Sequence, residues 1–411
     1  MKKILILGCN DTAKALLEVL CTQRGIASEI CLASRRKEDC NELKNSMGKT
    51  VIRIITAGID VTNTEGSMMM VNIFGPEVIV NLMPADLSEH VMRLALKVKA
   101  AYIDGAILNI PLNPRPEDLL GEQFKYFMQF KSAGVTAVCG CGYNPGLLSV
   151  LVAAAGKEDF DSIDSVDFLD STESEASDEG AADTVVKAKL YVEDLLPEED
   201  ESDEDSDAVA IPMGQADIVM SEGKIVSEPR AKIKRDKISY ATVTDVAVAA
   251  TAKELPDIQN IRCFKKHRAQ KKRAAHKKPV RLIENLEEIG MLSDVPVKVG
   301  GAEIAPRDFL MAILPHMAAE EEVKPAEDFV PDKIVVTGKK GINTKSVEYS
   351  AEGLADCDTK VLIAAVKMVS SDKWNTPGVF TPAYFPQRTF LTAVEKEGLK
   401  FDVAPCEEIG K

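Results

Sequence analysis

The amino-acid sequence predicts an α/β fold: an N-terminal doubly wound parallel sheet, then an α+β domain with a mixed or antiparallel sheet. Short apolar runs alternate with helical patterns over the first 145 residues, as in successive strand–helix units. Hydrophobic residues make up 45% of the chain but aromatic residues only 5%, so the core must be aliphatic, as buried parallel strands are. After residue 146 the pattern changes to strands of alternating polarity, such as VVKAKLYV at 185–192.

The predicted strands of the first domain are short, apolar and separated by helices. They cover 3–7, 28–33, 51–56, 77–82, 101–104 and 135–139. The helical patterns between them cover 12–20, 38–47, 87–100 and 118–130. The opening residues superficially resemble a signal peptide, but Asp11 and Lys14 follow directly, so we interpret them as the first strand.

Beyond residue 146 the pattern indicates a second domain. The acidic stretch at 193–207 can bury almost nothing apolar, and we expect a mobile loop there. We assign residues 1–145 to the first domain and 146–373 to the second, and we expect the tail at 374–411 to return to the first. The remaining patterns of the second half are strands within 163–169, 296–310 and 333–341, and helices at 361–369 and from residue 390 onward.

Composition restricts the classes of function. The formal net charge is −15, which argues against a dedicated nucleic-acid or membrane-surface partner. No apolar run approaches the roughly 20 residues that a membrane span needs. The nine cysteines are scattered without a CxxC pair, which is typical of reduced thiols in the cytoplasm. We therefore expect a cytoplasmic protein without a metal site.

The turn after the first strand carries a dinucleotide-binding pattern. Gly8 and Ala13 fit the first and last positions of G-x-G-x-x-G/A, and Asn10 replaces the second glycine. Gly8 permits the tight turn, while Ala13 lets the helix pack closely on the strand, so that a pyrophosphate can sit at the helix N-terminus with Asp11 and Thr12. The alternative is a strand–helix turn without a ligand. The pattern predicts a Rossmann-type domain.

The end of the second strand indicates which cofactor binds. An acid there would bind the ribose 2′-hydroxyl of NAD, but this chain has Ser34 and Arg35. A hydroxyl and a guanidinium suit a 2′-phosphate, so we expect NADP, with NAD as the alternative. A solvated helix start would explain the same residues without a ligand. We also expect Pro84, after the fourth strand, among the cofactor contacts.

The segment GCGYNPG at 140–146 is the most unusual local sequence in the chain. Three glycines and a proline permit a sharp backbone excursion at a strand end, where ligands bind in such sheets. The segment presents Cys141, Tyr143 and Asn144. The alternative interpretation is a rigid turn between domains, and both can hold at once.

Several stretches together resemble the saccharopine dehydrogenase (saccharopine reductase) superfamily, with GCGYNPG most similar to the carboxynorspermidine dehydrogenase branch. The resemblance implies a substrate and dimerisation domain after the first domain, an amino-acid-like substrate, and a homodimer. It also implies nicotinamide-dependent reduction of an imine, or oxidation of a secondary amine, with Cys141, Tyr143 and Asp104 near the nicotinamide. The stretches that carry it are ILILGCNDTAKALLEVL, LASRR, VIVNLMPADLSEHVMRLALKVKAAYIDGA, AGVTAVCGCGYNPGLLSVLVAAA, LIENLEEIGMLSDVPVKVGGAEIAPRDFLMAILP and TPGVFTPAYFPQRTFLTAVEKEGLKF.

The chain also departs from that family. Asn10 replaces a glycine, and residues 262–267 read RCFKKH where the family often has Arg-Tyr-Pro-Gly. The stretch at 262–281 holds ten Lys or Arg residues and no acid, which suits a polycarboxylate substrate or a solvated face. Two further hypotheses therefore stay open: a non-catalytic nucleotide-binding or regulatory member of the same superfamily, and an interaction protein that uses the charged tracts.

Overall fold

The computed structural model describes residues 1–23, 25–105, 121–173, 216–235, 238–266, 333–352 and 356–406, with short pieces between 290 and 309. The predicted strand at 185–192, the acidic loop at 193–207 and the basic residues from 267 to 281 lie outside the described residues. The strands are β1 (Lys2–Leu7), β2 (Ala27–Ser34), β3 (Arg53–Gly58), β4 (Val78–Asn81), β5 (Ala101–Asp104), β6 (Thr136–Val138), β7 (Ser162–Glu173), β8 (Ala216–Ser221), β9 (Lys224–Pro229), β10 (Lys232–Arg235), β11 (Ile238–Val243), β12 (Asn260–Lys266), β13 (Val297–Val299), β14 (Ala302–Ile304), β15 (Lys333–Lys340), β16 (Asn343–Glu352), β17 (Gly378–Phe380) and β18 (Lys400–Cys406). The helices are α1 (Asp11–Thr22), α2 (Lys37–Ser46), α3 (Thr64–Phe74), α4 (Ser88–Val98), α5 (Phe127–Ala133), α6 (Leu148–Glu158), α7 (Val246–Glu254), α8 (Cys357–Ser370) and α9 (Gln387–Lys396).

The first sheet has seven parallel strands in the order β17-β6-β5-β4-β1-β2-β3. The strand order reverses between β1 and β4, and this switch point leaves a crevice at the carboxyl ends of the strands. Helices cover both faces: α1, α6 and α8 pack against one core, and α3, α4 and α5 against the other. The predicted α/β fold class is confirmed.

The second sheet is mixed. Its main path runs β10-β11-β12-β7-β15-β16-β18, and β8 and β9 join beside β12. The pair β12–β7 is parallel, whereas the other pairs are antiparallel. Side chains of β7, β12 and β15 join the same core as α1 and α6, so one continuous apolar cluster connects the two sheets.

The tail at 374–411 is divided between the two sheets, whereas we expected it to return to the first domain. In the tail, β17 pairs with β6 of the first sheet, but β18 pairs with β16 at the edge of the second. In addition, α8, which we placed within 146–373, contacts α1 of the first domain. An edge strand needs only one partner, and β18 is mostly exposed, so its sequence does not reveal which sheet supplies that partner.

The helix α3 was not predicted, although it fills the expected place between β3 and β4. Its sequence, TEGSMMMVNIF, has apolar side chains on more than one face: Val71 is buried, while Met69 and Ile73 are 70% and 77% exposed. Such a helix lacks the single apolar stripe on which the sequence interpretation depended.

Candidate cofactor and reaction site

The turn after β1 is held tightly at the switch point of the first sheet. The Gly8 N–H donates to the Ala33 carbonyl at 2.9 Å, at the end of β2. Gly8 has a φ of +114°, and a Cβ there would lie 2.9 Å from the Leu82 carbonyl oxygen, after β4. A side chain at this position would therefore collide with the neighbouring backbone. The glycine brings the ends of β1, β2 and β4 together around one crevice.

Asn10 acts as the N-cap of α1. Its Oδ1 accepts from the Ala13 N–H at 2.9 Å, and its Nδ2 donates to the Leu82 carbonyl at 3.3 Å. The side chain thus satisfies one of the free N–H groups of the first turn. The described contacts give no acceptor to the N–H groups of Asp11 and Thr12, which lie at the positive end of the helix dipole. The N-terminus of α1 can therefore still receive an anion.

The end of β2 presents an exposed cation. Among the described residues Arg35 forms no ion pair, whereas Arg36 pairs with Asp39 at 2.9 Å. Hydrogen bonds from Thr62 lower the pKa of Asp60, and the charge of Arg35 lowers it further. The Ser34 hydroxyl donates to the Arg36 carbonyl at 2.6 Å, which leaves its oxygen able to accept. Arg35 is therefore the side chain suited to a phosphate at this strand end.

A buried polar network supports the ends of β4 and β5. Asn81 Nδ2 donates to the Tyr102 hydroxyl at 3.1 Å and to Ser88 Oγ at 3.3 Å. Its Oδ1 accepts from the Met83 N–H at 3.2 Å. This last bond orients the loop that leads to Pro84, which is exposed.

Asp104 lies at the centre of this network and is only 2% exposed. One carboxylate oxygen accepts from the Tyr102 hydroxyl at 2.7 Å and from Gln123 Nε2 at 3.1 Å, and the other from the Gly140 N–H at 2.9 Å. Burial, opposed by these hydrogen bonds, raises the pKa of Asp104 to about 6. Asp104 therefore joins β5 to the GCGYNPG loop (residues 140–146) and titrates close to neutrality.

Cys141 does not face a cleft in the described structure. It is completely buried, and its thiol lies 3.6 Å from the Val138 carbonyl oxygen. Burial, and then the charge of Asp104, raises the pKa of the thiol well above its ordinary value. A thiol sealed in this way can pack and donate a weak hydrogen bond, but it does not meet a substrate. Its position therefore does not fit the role that we expected for it.

The GCGYNPG loop is anchored by two acidic residues of the second half of the chain. Asp358, in the first turn of α8, accepts from the Tyr143 N–H at 2.6 Å. Asp245, the N-cap of α7, accepts twice from Asn144 Nδ2 at 3.0 Å and also from the Ala247 N–H at 2.7 Å. Tyr143 is half-buried and Asn144 exposed. Helices α7 and α8 therefore both begin at this loop.

The loop also needs its last glycine. A Cβ on Gly146 would lie 2.3 Å from the Gly140 carbonyl oxygen, a distance that no side chain tolerates. The two ends of the loop therefore touch, backbone against backbone. This close approach turns the chain from β6 directly into α6.

A second pair of helix N-termini meets beside the turn after β1. Thr12 in α1 and Thr359 in α8 have their hydroxyl oxygens 3.2 Å apart. The N-termini of α1 and α8 therefore converge, and that of α8 also contacts the GCGYNPG loop. Sequence reasoning found Thr12 but not Thr359, because nothing local to α8 indicates where it docks.

A half-buried acid and base lie at the C-terminal end of α7. Lys253 Nζ is 3.6 Å from the centre of the Phe124 ring, and burial lowers its pKa. Glu254 accepts from the Thr381 hydroxyl at 3.0 Å through one oxygen, while the other is buried with no partner among the described residues. Burial raises the pKa of Glu254 to about 7. Thr381 follows β17, so this pair lies beside the carboxyl ends of β6 and β17.

Residues 4–138 match the family of the saccharopine dehydrogenase NADP binding domain. The chain is 22% identical to the carboxynorspermidine synthase of Vibrio cholerae, over 98% of this chain and 97% of that protein. It is 23% identical to the carboxyaminopropylagmatine dehydrogenase of Synechocystis, over 97% of this chain and 96% of that protein. The first domain therefore matches the saccharopine dehydrogenase NADP binding domain, and nearly the whole chain is similar to these two relatives.

A solved structure has the same fold as this chain. The saccharopine dehydrogenase (L-Glu forming) of Saccharomyces cerevisiae superposes with a TM-score of 0.58 at 14% identity, over 98% of this chain and 100% of that one. The resemblance predicted from the sequence is therefore confirmed. The N-terminal domain of the chain is of the type that binds a nicotinamide dinucleotide.

The structure brings most of the predicted site residues to one edge of the first sheet. The residues of the turn after β1, the end of β2, and the GCGYNPG loop all follow parallel strands there. Asp245, Asp358 and Glu254 lie at the same edge but were missed; Asp245 alone carried a local signal, because it is an acid directly before a helical pattern. In the described part of the chain there is neither a cluster of three metal-binding side chains nor a helix long and apolar enough to cross a membrane.

Proposed function

We propose that this protein is an NADP-dependent oxidoreductase that transfers hydride at a carbon–nitrogen bond of an amino-acid-derived imine or secondary amine. One observation carries the proposal: the GCGYNPG loop lies at the same sheet edge as the Gly8 turn, with Asp245 and Asp358 of the second half anchored on it. A cofactor in the crevice would then meet a substrate held between the two halves of the chain.

The residues at the crevice fit a dinucleotide phosphate. Gly8 permits close backbone approach, the first turn of α1 offers the N–H groups of Asp11 and Thr12, and Arg35 is exposed at the end of β2. No acid stands at the end of β2 to bind a free 2′-hydroxyl. These features support NADP over NAD.

The chemistry requires a hydride and one proton on the substrate nitrogen. A bound nicotinamide supplies or accepts the hydride. The chain must orient the carbon–nitrogen bond, exclude water and handle the proton. Of the three side chains expected near the nicotinamide, Tyr143 keeps exposed surface, whereas Asp104 and Cys141 are sealed beneath the loop. We therefore assign substrate contact to Tyr143 and a positioning role to Asp104.

An amine-bearing substrate agrees with the charge of the protein. The names of the two relatives contain norspermidine and agmatine, which are both basic amines. The formal net charge of −15 attracts a cationic amine to the protein by long-range electrostatics. We propose a carboxylated polyamine-like compound as the substrate class.

A two-step experiment tests the function. Fluorescence titration should show tighter binding of NADPH than of NADH, and Arg35→Asp should reverse or flatten that preference by roughly 1 to 3 kcal/mol. Arg36→Gln, which removes the neighbouring paired cation, is the matched control and should leave the preference unchanged. Reduction of imines formed from basic amines and small oxo acids is then followed as NADPH oxidation. Equal affinity for NADPH and NADH in the unmodified protein would contradict the cofactor assignment.

A second candidate function is a non-catalytic nucleotide-binding member. The burial of Cys141 and the presence of Asn10 in place of a glycine favour it. It predicts tight NADPH binding without turnover of any amine or imine. Turnover separates the two: an enzyme turns over an amine or imine and is slowed by Tyr143→Phe, whereas a binding module binds NADPH but shows no turnover in either the unmodified protein or the variant.

The expected homodimer and cytoplasmic location stay predictions. Light scattering of the full-length protein measures the mass of the particle in solution. A single-chain mass would contradict the dimer.

A further inference from the structure

Two cysteines face each other at the turn after β1. Cys9 lies between Gly8 and Asn10, and Cys40 lies in the first turns of α2. Their sulfur atoms are 3.0 Å apart. Cys9 is half-buried, whereas Cys40 is completely buried. The pair lies in the dinucleotide crevice, but hydride transfer at a carbon–nitrogen bond does not use it.

The pair also touches the residue expected beside the 2′-phosphate. Cys40 Sγ lies 3.3 Å from the Ser34 hydroxyl oxygen, at the end of β2. One cysteine therefore lies in the turn that approaches the pyrophosphate, and the other supports the strand end that approaches the ribose. A bond between them would connect the two parts of the crevice.

The geometry is close to that of a disulfide. An S–S bond is about 2.05 Å long, so the two sulfurs need to close by about 1 Å. One partner lies in a turn and the other near the start of a helix, so the turn can supply most of the movement. The other half-buried cysteine, Cys21 in α1, has no thiol at such a distance among the described residues.

We propose that Cys9 and Cys40 are an oxidisable thiol pair, and that their disulfide weakens dinucleotide binding. The bond itself is independent of the proposed function, whereas its consequence rests on it. The oxidant is a low-molecular-weight disulfide. The Cys9 thiolate attacks it and releases one small thiol; Cys40 then displaces the second small thiol from the mixed disulfide. Two protein thiols are oxidised and one small disulfide is reduced to two thiols.

The resting state of the pair is reduced. Burial, and then the contact with Cys40, raises the pKa of Cys9 to about 12, so its thiolate is scarce at neutral pH. Attack on the oxidant is therefore slow, and the pair responds to sustained rather than brief oxidation. Cys9 reacts first because Cys40 is sealed from solvent.

The disulfide should disturb the crevice through the turn after β1. Closing the sulfurs pulls Cys9 toward α2, together with Gly8 and Asn10 on either side. Gly8 has little room to follow this movement, because it already approaches the backbone of Leu82 closely. The oxidised turn therefore presents the α1 N-terminus less well to a pyrophosphate.

Peptide mapping tests the bond. The full-length protein is incubated with oxidised glutathione, alkylated under denaturing conditions and cut after Lys and Arg. The peptides ILILGCNDTAK and EDCNELK each hold one cysteine of the pair, and ALLEVLCTQR holds Cys21. We expect the first two peptides joined in the unmodified protein, and a glutathione adduct on Cys9 in Cys40→Ser. Free Cys9 and Cys40 alongside modified Cys21 would overturn the proposal.

Cofactor affinity tests the consequence. NADPH affinity is measured by titration on the reduced, the oxidised and the re-reduced protein. We expect at least a tenfold loss on oxidation, recovery on reduction, and no loss on oxidant treatment of Cys9→Ser, which forms neither the disulfide nor the glutathione adduct. A linked protein that binds NADPH unchanged would overturn the regulatory part. If the reduced protein binds neither NADPH nor NADH, the proposed function fails and the regulatory part with it, while the peptide map still decides the bond.

Discussion

The backbone N–H of Tyr143 donates to Oδ1 of Asp358 at 2.6 Å, across 215 positions of sequence. Gly142 beside it has no room for a side chain, because a Cβ would lie 2.7 Å from the same Asp358 oxygen. The first turn of α8 therefore packs directly on the backbone of the GCGYNPG loop. This contact lets the second half of the chain decide where Tyr143 lies.

Removing the Asp358 carboxylate should impair the reaction more than cofactor binding. Asp358→Ala leaves the Tyr143 N–H without its charged acceptor, a loss of about 1.5 to 3 kcal/mol, or roughly tenfold or more in kcat/KM. Asp358→Asn keeps an oxygen acceptor and should restore most of the activity, with KM closer to the unmodified value. Steady-state kinetics on both variants, with NADPH titration as a control, check this. Equal activity of the alanine and asparagine variants would contradict a positioning role.

Variants of Asn10 separate the effect of helix capping from the effect of charge at the turn after β1. Asn10→Asp keeps an N-cap oxygen for the Ala13 N–H, so the melting temperature should stay within a few degrees. The new carboxylate faces the position of the pyrophosphate, and NADPH affinity should fall by about tenfold or more. Asn10→Gly should lose only a few tenths of a kcal/mol in stability and keep its affinity. Unchanged NADPH binding in Asn10→Asp would show that no pyrophosphate lies at this turn.

The buried Asp104 should make stability depend on pH in a definite direction. Its carboxyl ionises near 3.8 in the unfolded chain but near 6 in the folded one. Between these values the unfolded chain releases its proton first, so the free energy of unfolding falls as pH rises. Ionisation of Asp104 thus lowers the free energy of unfolding by up to roughly 3 kcal/mol between pH 4 and pH 7. Asp104→Asn should remove this decline.

Urea unfolding at pH 4, 5, 6 and 7 measures that difference. The exposed Asp257→Asn serves as the control and should follow the unmodified protein. Parallel curves for Asp104→Asn and the unmodified protein would mean that Asp104 does not retain its proton on folding.

The pair Asn144–Asp245 should behave as a coupled unit. Asn144→Asp sets two carboxylates against each other at a contact that now measures 3.0 Å, and we expect about 1 to 3 kcal/mol of destabilisation. Adding Asp245→Asn reverses the pair and keeps an oxygen to cap α7, so it should recover most of that loss. A double-mutant cycle by thermal unfolding gives the coupling energy. Additive effects would indicate that the contact contributes little.

The fold of the first domain was predictable because its evidence is local. Apolar runs such as ILIL before Gly8 indicate a strand that is buried on both faces of the sheet. Gly8, the capping residue Asn10 and Ala13 all lie within six positions of one another. Five of its strands were located within one residue of their observed ends, and β3 within two. Helix α3 was missed because Met69 and Ile73 are exposed, so its pattern did not report a single buried face.

The sequence by itself determined the α/β class, the turn after β1 and the arginine at the end of β2, since each depends on neighbours in the chain. Tertiary structure alone decided that Cys141 is sealed, that Asp245 and Asp358 hold the GCGYNPG loop, and that β18 joins the second sheet. The physical reason is the range of the contacts. Burial and the docking of a helix end depend on which surfaces meet across hundreds of residues, and a periodic pattern records only that a face is apolar, not which partner covers it.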